Sequence, residues 1–368
     1  MDETITRRIG VGPRRSMGSI QRIDRPKPWR ARYRAPDGRQ LSKAFKCKID
    51  AERWLRAEEG RADRGEWVDP TAGAVRYAQW ADAWLRGLHS IGPKTRHGYE
   101  SLLRSRVVPT FGEVELRQIS TAVVRAWVAA MADEGLSGAR IRQALQVLRA
   151  SLDVAVSDGL LAKNPASAVK APRVEKRRQR FLTADELGRL ANAAGDYGPL
   201  VWLLGWSGLR WGEAVALRVG RVDTKRRRLR VEEAATEVGG TIHFGPPKTH
   251  ETRTVILPKL VVSRLEPLIE GRDAGELVFT APKSGPLRQS NFRRTWRRAV
   301  EASDVYDDLL IHDLRDTAAS LAIATGASIQ AVQRMLGHAS AAMTLDTYGS
   351  LFTEDLEDLA DRMDERYG

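Results

Sequence analysis

The sequence predicts a multidomain α+β protein with three parts: a small three-stranded sheet with one helix, a four-helix domain, and a mixed, mostly helical domain with a small antiparallel sheet. Three observations predict this organisation. The 368 residues exceed the usual size of one domain. Short alternating segments near the N-terminus give way to long helical periodicity. Strand-like alternation then returns only between about residues 229 and 258.

The charge of the chain narrows the class of its partner. Lys and Arg number 60 against 47 Asp and Glu, a net charge of +13 that favours a polyanion such as nucleic acid. The first 48 residues carry fourteen basic and four acidic side chains, a net +10, whereas the last twenty carry seven acidic and two basic ones, a net −5. No apolar run approaches membrane-spanning length and no signal peptide opens the chain, so we expect no membrane partner and a cytoplasmic location. The single cysteine, Cys47, excludes an internal disulfide and a cysteine-rich zinc site.

Residues 1–66 are predicted to form a basic arm followed by a small DNA-binding domain. The segments GSIQRID, WRARYRA and RQLSKAF alternate as strands, and Pro36-Asp37-Gly38 supplies a turn. A helix follows from about Asp50. Basic side chains cluster on the predicted sheet, and they are Arg30, Arg32, Arg34, Arg39 and Lys43. A solvated sheet face is the alternative, but so many basic residues in a short segment favour nucleic-acid binding.

Residues 75–164 are predicted to form a four-helix domain, and residues 165–180 an exposed basic linker. Pro93 lies at the entry of the second helix, which we expect to break between Val107 and Gly112. From residue 163 to residue 180 there are seven basic residues against one acid. The candidate phosphate contacts in the linker are Lys170, Arg173, Lys176 and Arg177. A spacer without a partner is the alternative.

Residues 181–368 are predicted to mix helices with a β-meander. Thr183 and Glu186 have the spacing of a capping box at the first helix. The segment LRVEEAATEVGGTIHFGPPKTHETRTVILP indicates strands that turn at Gly239-Gly240 and again between Pro246 and Glu251. Helices are expected from Ser290 onward.

Several polar residues in this last part could carry chemistry. Arg210 lies two residues after Gly208 at a helix start, and Lys248 is expected at a hairpin tip. His312 and Arg315, three residues apart, fall on one face of a predicted helix. Gly337 can end the next helix and leave His338 just beyond it, ten residues before Tyr348. Each has an ordinary structural alternative, such as a surface ion pair for the arginines or a core position for the tyrosine.

Together these motifs resemble the tyrosine recombinases, the phage integrase group. The boxes SGLRWGE, PKTHETRTVIL, HDLR, LGH and TLDTYG occur in the family's order and approximate spacing. The resemblance covers the chain from Tyr77 to its end, and the N-terminal domain is similar to the arm-type DNA-binding domain of temperate-phage integrases. Asp316 departs from the pattern, because such proteins often have His after the second arginine. We expect this departure to affect local packing only.

The resemblance implies a site-specific recombinase that cuts and rejoins DNA through a covalent 3′-phosphotyrosine intermediate, without cofactor, metal or ATP. The implied catalytic residues are Arg210, Lys248, His312, Arg315, His338 and Tyr348. Two guanidinium groups can clamp the charge that develops on the phosphate. A phenol with a pKa of about 10 needs a proton acceptor, for which His312 is expected, while Lys248 would protonate the departing 5′-oxygen. Glu213 is expected to orient Arg210 or its helix.

The resemblance also implies partners. They are double-stranded DNA at core and arm attachment sites, three further copies of the chain in a homotetramer, a host DNA-bending protein and an excisionase. The acidic tail has apolar residues at helical spacing from Leu351 to Met363. This tail would pack either on its own domain or on a neighbouring protomer.

Four alternatives remain for the function. A conjugative transposon or genomic island integrase would use the same chemistry, and so would a chromosome-dimer resolvase, although the extra basic N-terminal domain argues against the resolvase. A DNA-binding regulator that has lost catalysis is disfavoured by the intact catalytic set. A metal-dependent DDE-type integrase would be inactive in EDTA.

Overall fold

A computed structural model of the chain describes residues 18–65, 67–69, 71–174, 177–247, 252–352, 363–365 and 367. The chain divides into two compact units, Met1–Val174 and Glu175–Gly368. The expected basic arm lies outside the described residues, as does most of the acidic tail. Among the helices that are described, none combines the length and apolar content needed to cross a membrane.

The first unit begins with the predicted sheet and helix. Its strands are antiparallel in the order β1-β2-β3, with bounds β1 (Gly18–Arg22), β2 (Trp29–Arg34) and β3 (Gln40–Phe45). Helix α1 (Lys48–Asp63) packs on one face of the sheet. Ala31 and Tyr33 of β2 are buried on that face with Leu55 of the helix, because side chains of a strand alternate between its two faces.

The predicted four-helix domain follows. Its helical segments are α2 (Tyr77–Gly87), α3 (Pro93–Leu102) continuing into α4 (Val108–Phe111), α5 (Thr121–Asp133) and α6 (Gly138–Ser157). The second helix ends at Phe111, within the segment from Val107 to Gly112 where a break was expected, but it is not interrupted at Val107 itself. Residues Leu103–Val107 form a π-helical turn that connects α3 to α4, and the helix continues to Phe111. Pro109 is tolerated because it lies in the first turn of α4, where its missing N–H costs little.

The segment after α6 packs on the helical domain rather than lying exposed. Ala166 and Val169 are buried in the core of that domain. Arg149 of α6 donates from Nε to the Ala166 carbonyl at 2.9 Å and from Nη2 to the Val169 carbonyl. The prediction of an exposed linker from residue 165 is therefore wrong at Pro165, Ala166 and Val169, which are buried, whereas the two residues between them are exposed.

Helices are the main regular elements of the described part of the second unit. The predicted capping box is confirmed, since Thr183 Oγ1 accepts a hydrogen bond from the Glu186 backbone and Glu186 Oε2 accepts one from the Thr183 backbone. The helices are α7 (Ala184–Ala193), α8 (Gly198–Ser207), α9 (Trp211–Val215), α10 (Lys259–Ile269), α11 (Gln289–Ser303), α12 (Asp313–Ala324), α13 (Ile329–Leu336) and α14 (Ala341–Tyr348). The main hydrophobic core includes residues from α7, α8, α10 and α11, together with two strands.

The strands of the second unit do not form the predicted meander. Strands β4 (Val222–Asp223), β5 (Arg228–Val231) and β8 (Arg253–Ile256) form one antiparallel sheet in that order, while β6 (Ala234–Val238) and β7 (Thr241–Gly245) form a separate hairpin. The hairpin turns at Gly239-Gly240, as predicted. Leu229, Val231 and Val255 are buried, whereas the residues of β6 and β7 are half-buried or exposed. Strand β8 therefore pairs with β5 because both supply the core, and the hairpin stays outside it.

Candidate active site

The loop between α8 and α9 places Arg210. Helix α8 ends at Gly208, whose φ of 65° is the left-handed conformation that favours glycine at a helix end. Arg210 then occupies the N-cap position of α9, with 26% of its side chain exposed. Its Nη1 donates to Glu213 Oε1 at 2.9 Å, and its backbone N–H donates to Glu213 Oε2 at 2.9 Å. Glu213 therefore orients Arg210, as expected.

Glu213 also binds a second arginine, which sequence reasoning missed. Arg253 at the start of β8 donates from Nη1 to Oε1 at 3.0 Å and from Nη2 to Oε2 at 2.6 Å. Burial alone would raise the pKa of Glu213, but the hydrogen bonds and charges of Arg253 and Arg210 hold it below its usual value. Arg253 could have been found from the alternation of the strand. It lies two residues before the buried Val255, and residues two apart in a strand lie on the same face.

Arg315 lies inside the protein and connects two helix ends. It is 4% exposed, and its Nη1 donates to the Gly208 carbonyl at 2.5 Å while Nη2 donates to the Leu336 carbonyl at 2.8 Å. These carbonyls lie at the C-termini of α8 and α13, where partial negative charge favours a cation. Burial and then the charge of Arg210 lower the pKa of Arg315 to about 10, so the group is positively charged at neutral pH.

His338 follows the end of α13, as predicted, and is surrounded by positive charge. Its Nδ1 lies 3.0 Å from Oγ1 of Thr344, a buried residue of α14. Burial, followed by the charges of Arg315, Arg210 and Arg253, lowers the pKa of His338 to about 4. The imidazole is therefore neutral at pH 7, and three guanidinium groups act on it together.

Tyr348, the last residue of α14, is 1% exposed. Its hydroxyl donates to Asp316 Oδ1 at 2.5 Å, and its ring is parallel to that of His338, with centroids 6.4 Å apart. Burial, followed by the hydrogen bond and charge of Asp316, raises the pKa of Tyr348 well above its usual value. The expectation that Asp316 affects only local packing is wrong, because its carboxylate binds the hydroxyl of the candidate nucleophile.

Of the two remaining catalytic candidates, only His312 lies within the described residues, and it does not join this group of contacts. His312 is the N-cap residue of α12 and is exposed, whereas Arg315 on the same helix is buried. The group that accepts the hydrogen bond of the tyrosine hydroxyl is Asp316, one turn further along α12, and not His312 as expected. Lys248 lies outside the described residues, so its position at the hairpin tip stays a prediction.

Three of the predicted DNA-binding arginines share one face of the N-terminal sheet. Arg30, Arg32 and Arg34 alternate along β2 with Ala31 and Tyr33, which are buried against α1. The three arginines therefore lie on the opposite face, which carries a row of positive charge.

The other two predicted residues of this domain are placed elsewhere. Lys43 is paired with Ala31 across the strands, and because directly opposite residues share a face, Lys43 lies on the helix side of the sheet. Arg39 lies in the turn, where its Nε donates to Asp37 Oδ2 at 2.8 Å and its Nη2 donates to Asp69. The charge of Arg39 is thus already paired, so the predicted cluster of five is reduced to three.

The linker candidates also differ from one another. Arg177 donates from Nη1 to both carboxylate oxygens of Asp313 at 2.8 Å, and Asp313 is buried. Arg177 is therefore held to the second unit by an ion pair. Lys170 and Arg173 are exposed, and Lys176 lies outside the described residues.

Helix α11 carries a basic surface that sequence reasoning did not select. Phe292 and Trp296 are buried in the core. The exposed arginines of the helix are Arg293, Arg294, Arg297 and Arg298. The sequence motif RRTWRR contains two pairs of arginines that are four residues, or about one helical turn, apart. This spacing already indicated that the arginines share one face of a helix.

The matches to protein families agree with this fold and site. Residues 180–354 match the model described as "Phage integrase family", and residues 77–132 match "Phage integrase, N-terminal SAM-like domain". The second unit and the helical domain before it thus define a tyrosine-type site-specific recombinase.

Relatives of known sequence or structure extend the likeness over most of the chain. The putative prophage phiRv2 integrase of Mycobacterium tuberculosis is 31% identical over 353 residues, 91% of this chain and 92% of that protein. The integrase of Mycobacterium phage D29 is 30% identical over 375 residues, 96% and 98% of the two chains. A lambda integrase tetramer bound to a Holliday junction is similar in fold, with a TM-score of 0.58, 21% identity and coverage of 86% and 91%. The chain belongs to the phage integrase family of tyrosine recombinases.

Proposed function

We propose that the chain integrates a phage genome into DNA, with Tyr348 as the nucleophile at a scissile phosphate bound by Arg210 and Arg315. The observation that carries this proposal is the convergence of positive charge from Arg210, Arg315 and Arg253 on His338, whose ring lies parallel to that of Tyr348. A pentacoordinate phosphate carries more negative charge on its nonbridging oxygens than the diester does. Fixed guanidinium groups in a partly buried site stabilise that charge more than water does.

The reaction exchanges one phosphodiester for another. Tyr348 Oη forms a bond to phosphorus as the bond from phosphorus to the 5′-oxygen breaks, which gives a 3′-phosphotyrosine bond. The departing 5′-oxygen takes a proton, for which Lys248 is the candidate donor. A neutral His338 that accepts from the Thr344 hydroxyl at Nδ1 carries its proton on Nε2, where it can donate to a phosphate oxygen. His312, at the exposed start of α12, is a further candidate for a contact with the DNA backbone.

DNA would be bound through several basic surfaces. The row of Arg30, Arg32 and Arg34 is suited to a phosphate backbone at distal arm sites, and the exposed arginines of α11 are suited to the core site. Lys170 and Arg173 are exposed in the linker and can add contacts.

Strand exchange between two duplexes requires four cleavages, and we infer a homotetramer on DNA, like the lambda integrase assembly. Phage integration is favoured over a transposon because the relatives that cover more than nine-tenths of the chain are a prophage and a phage integrase. A host DNA-bending protein, an excisionase and a bacterial cytoplasmic setting complete the proposal, on the resemblance to temperate-phage integrases.

The test uses a nicked duplex that carries the core site, incubated with the full chain in EDTA, and measures an SDS-resistant protein–DNA adduct. Wild type should form the adduct and Tyr348→Phe should form none, because the phenyl ring lacks the attacking oxygen. The matched control is Tyr197→Phe, which removes a hydroxyl that donates to the Thr280 carbonyl in the same unit. An adduct with Tyr348→Phe, or none with wild type, would refute the assignment.

A further inference from the structure

Asp316 lies where similar recombinases often have histidine, directly after the second arginine. Its carboxylate accepts a hydrogen bond from the hydroxyl of Tyr348, the candidate nucleophile. The Tyr348 hydroxyl donates to Oδ1 at 2.5 Å, a short hydrogen bond in a partly buried setting. The contact joins α12 to α14 across 32 residues of sequence. A general base must lie within hydrogen-bond reach of the proton that it takes, and Asp316 meets this condition in the DNA-free structure.

The groups around Asp316 leave its carboxylate available for this proton. On its own helix the titratable neighbours are His312, Asp313 and Arg315. Asp313 is paired with Arg177, whereas Asp316 has no ion pair within the described part of the chain. Burial raises the pKa of Asp316 above its usual value, ahead of smaller effects from Tyr348 and the charges on α12.

The helices packed on α12 add little charge at this point. Helix α8 has the uncharged sequence GPLVWLLGWS, the charged residue of α13 is Arg334, and that of α14 is Asp346; both of these side chains are exposed. The environment of Asp316 is therefore set by its own helix and by Tyr348.

We propose that Asp316 is a catalytic residue that accepts the proton of Tyr348 as the tyrosine attacks the scissile phosphate; this rests on the proposed role of Tyr348 as nucleophile. The O–H bond of Tyr348 breaks, its electron pair forms the bond to phosphorus, and the proton moves to Asp316 Oδ1. The bond from phosphorus to the 5′-oxygen breaks, and that oxygen takes its proton from the separate general acid. When a 5′-hydroxyl of the partner DNA strand later attacks the phosphotyrosine, Asp316 returns its proton to the departing phenolate.

This arrangement changes the part expected of His312. Its imidazole is exposed and does not accept the hydrogen bond of the tyrosine hydroxyl, which Asp316 accepts instead. Where relatives have histidine at the position of Asp316, an imidazole can take the same proton, so the substitution exchanges one base for another.

The test measures single-turnover cleavage of the nicked core-site duplex by the full chain across a pH series. Asp316→Asn keeps the size and an acceptor oxygen but cannot take a proton, and its cleavage rate should fall by about 10² to 10⁴. Asp316→His should restore cleavage, with its acid limb moved up toward the usual imidazole pKa of about 6.5. The matched control is Asp346→Asn, the same change at an exposed position two residues from Tyr348, which should cleave at the wild-type rate.

The outcomes separate this inference from the proposed function. If Asp316→Asn cleaves as fast as wild type, or faster, the carboxylate only holds the tyrosine in the DNA-free state and the inference is overturned. A wild-type pH profile for Asp316→His would overturn it as well, even if the asparagine variant unfolds. An adduct with Tyr348→Phe would instead refute the nucleophile assignment itself. Thermal unfolding of each variant shows whether a lost rate reflects a lost fold.

Discussion

Replacement of Glu213 by glutamine tests whether the two arginines of the site depend on one buried carboxylate. Glu213 has 1% of its side chain exposed and accepts four hydrogen bonds, two from Arg210 and two from Arg253. Glutamine keeps one acceptor oxygen but replaces the other by an NH₂ donor that faces a guanidinium. Loss of one partner of a buried ion pair costs about 3 to 5 kcal/mol. For a unit of this size that lowers the midpoint of thermal unfolding by about 6 to 20 °C.

Differential scanning calorimetry of the full chain measures this shift. The matched control is Glu232→Gln, because Glu232 also pairs with two arginines, Arg221 and Arg230, but at the surface. Such an exposed network contributes about 0 to 1 kcal/mol. Equal shifts for the two variants, or a loss below about 1 kcal/mol for Glu213→Gln, would refute the reasoning.

The stability difference between wild type and Glu213→Gln should depend on pH, and the direction of that dependence follows from the pKa shift of Glu213. The folded pKa of Glu213 is held below its unfolded value, so its contribution to stability is present above the unfolded pKa and is lost as pH falls through the folded one. The difference between wild type and Glu213→Gln should therefore be constant near neutral pH and should narrow in acid. A difference that grows on acidification would contradict the assigned charge state.

Two further predictions concern the histidine and the basic helix. The ring proton signals of His338 in NMR should titrate at a pH of about 4. The stability of the fold should decrease as pH drops from about 6.5 toward about 4, because the histidine of the unfolded chain binds its proton at the higher pH. An NMR midpoint at or above pH 6 would count against the three-arginine environment. Double substitution of Arg293 and Arg297 by alanine should weaken binding to core and unrelated DNA alike and reduce the slope of log affinity against log salt by about two, measured by fluorescence anisotropy. An unchanged slope would show that α11 does not contact phosphate.

Local patterns in the sequence predicted much of the fold, since strand alternation and helix caps depend on neighbouring residues. The three N-terminal strands, the four-helix domain, the capping box at Thr183 and the turn at Gly239-Gly240 are all of this kind. Strand pairing is not local: the choice of β5 as partner of β8 depends on which strands supply the core. The π-helical turn at Leu103–Val107 could not be predicted either. A proline such as Pro109 normally indicates that a helix ends before it.

The candidate site was predictable as a set of positions but not as a set of contacts. The motifs selected Arg210, Arg315, His338 and Tyr348. In the structure Arg315 binds the carbonyls of Gly208 and Leu336, each two residues before another member of the set, and the His338 ring lies parallel to that of Tyr348. The bond between Tyr348 and Asp316 could not be predicted, because nothing in the sequence indicates that a residue 32 positions earlier faces the hydroxyl. Arg253 was missed, although strand alternation with the buried Val255 indicated that its side chain points inward.

The hydrogen bonds of Arg315 to the ends of α8 and α13 affect how relatives of this protein can be judged from their sequences. By holding the carbonyls of Gly208 and Leu336, this side chain fixes the two loops that present Arg210 and His338. A descendant that no longer cut DNA would still need the same arginine to keep its shape. Retention of that arginine is therefore a poor sign of an active enzyme. A phenylalanine in place of Tyr348 is a better sign of lost activity, because its ring would fill the same buried space but would lack the attacking oxygen.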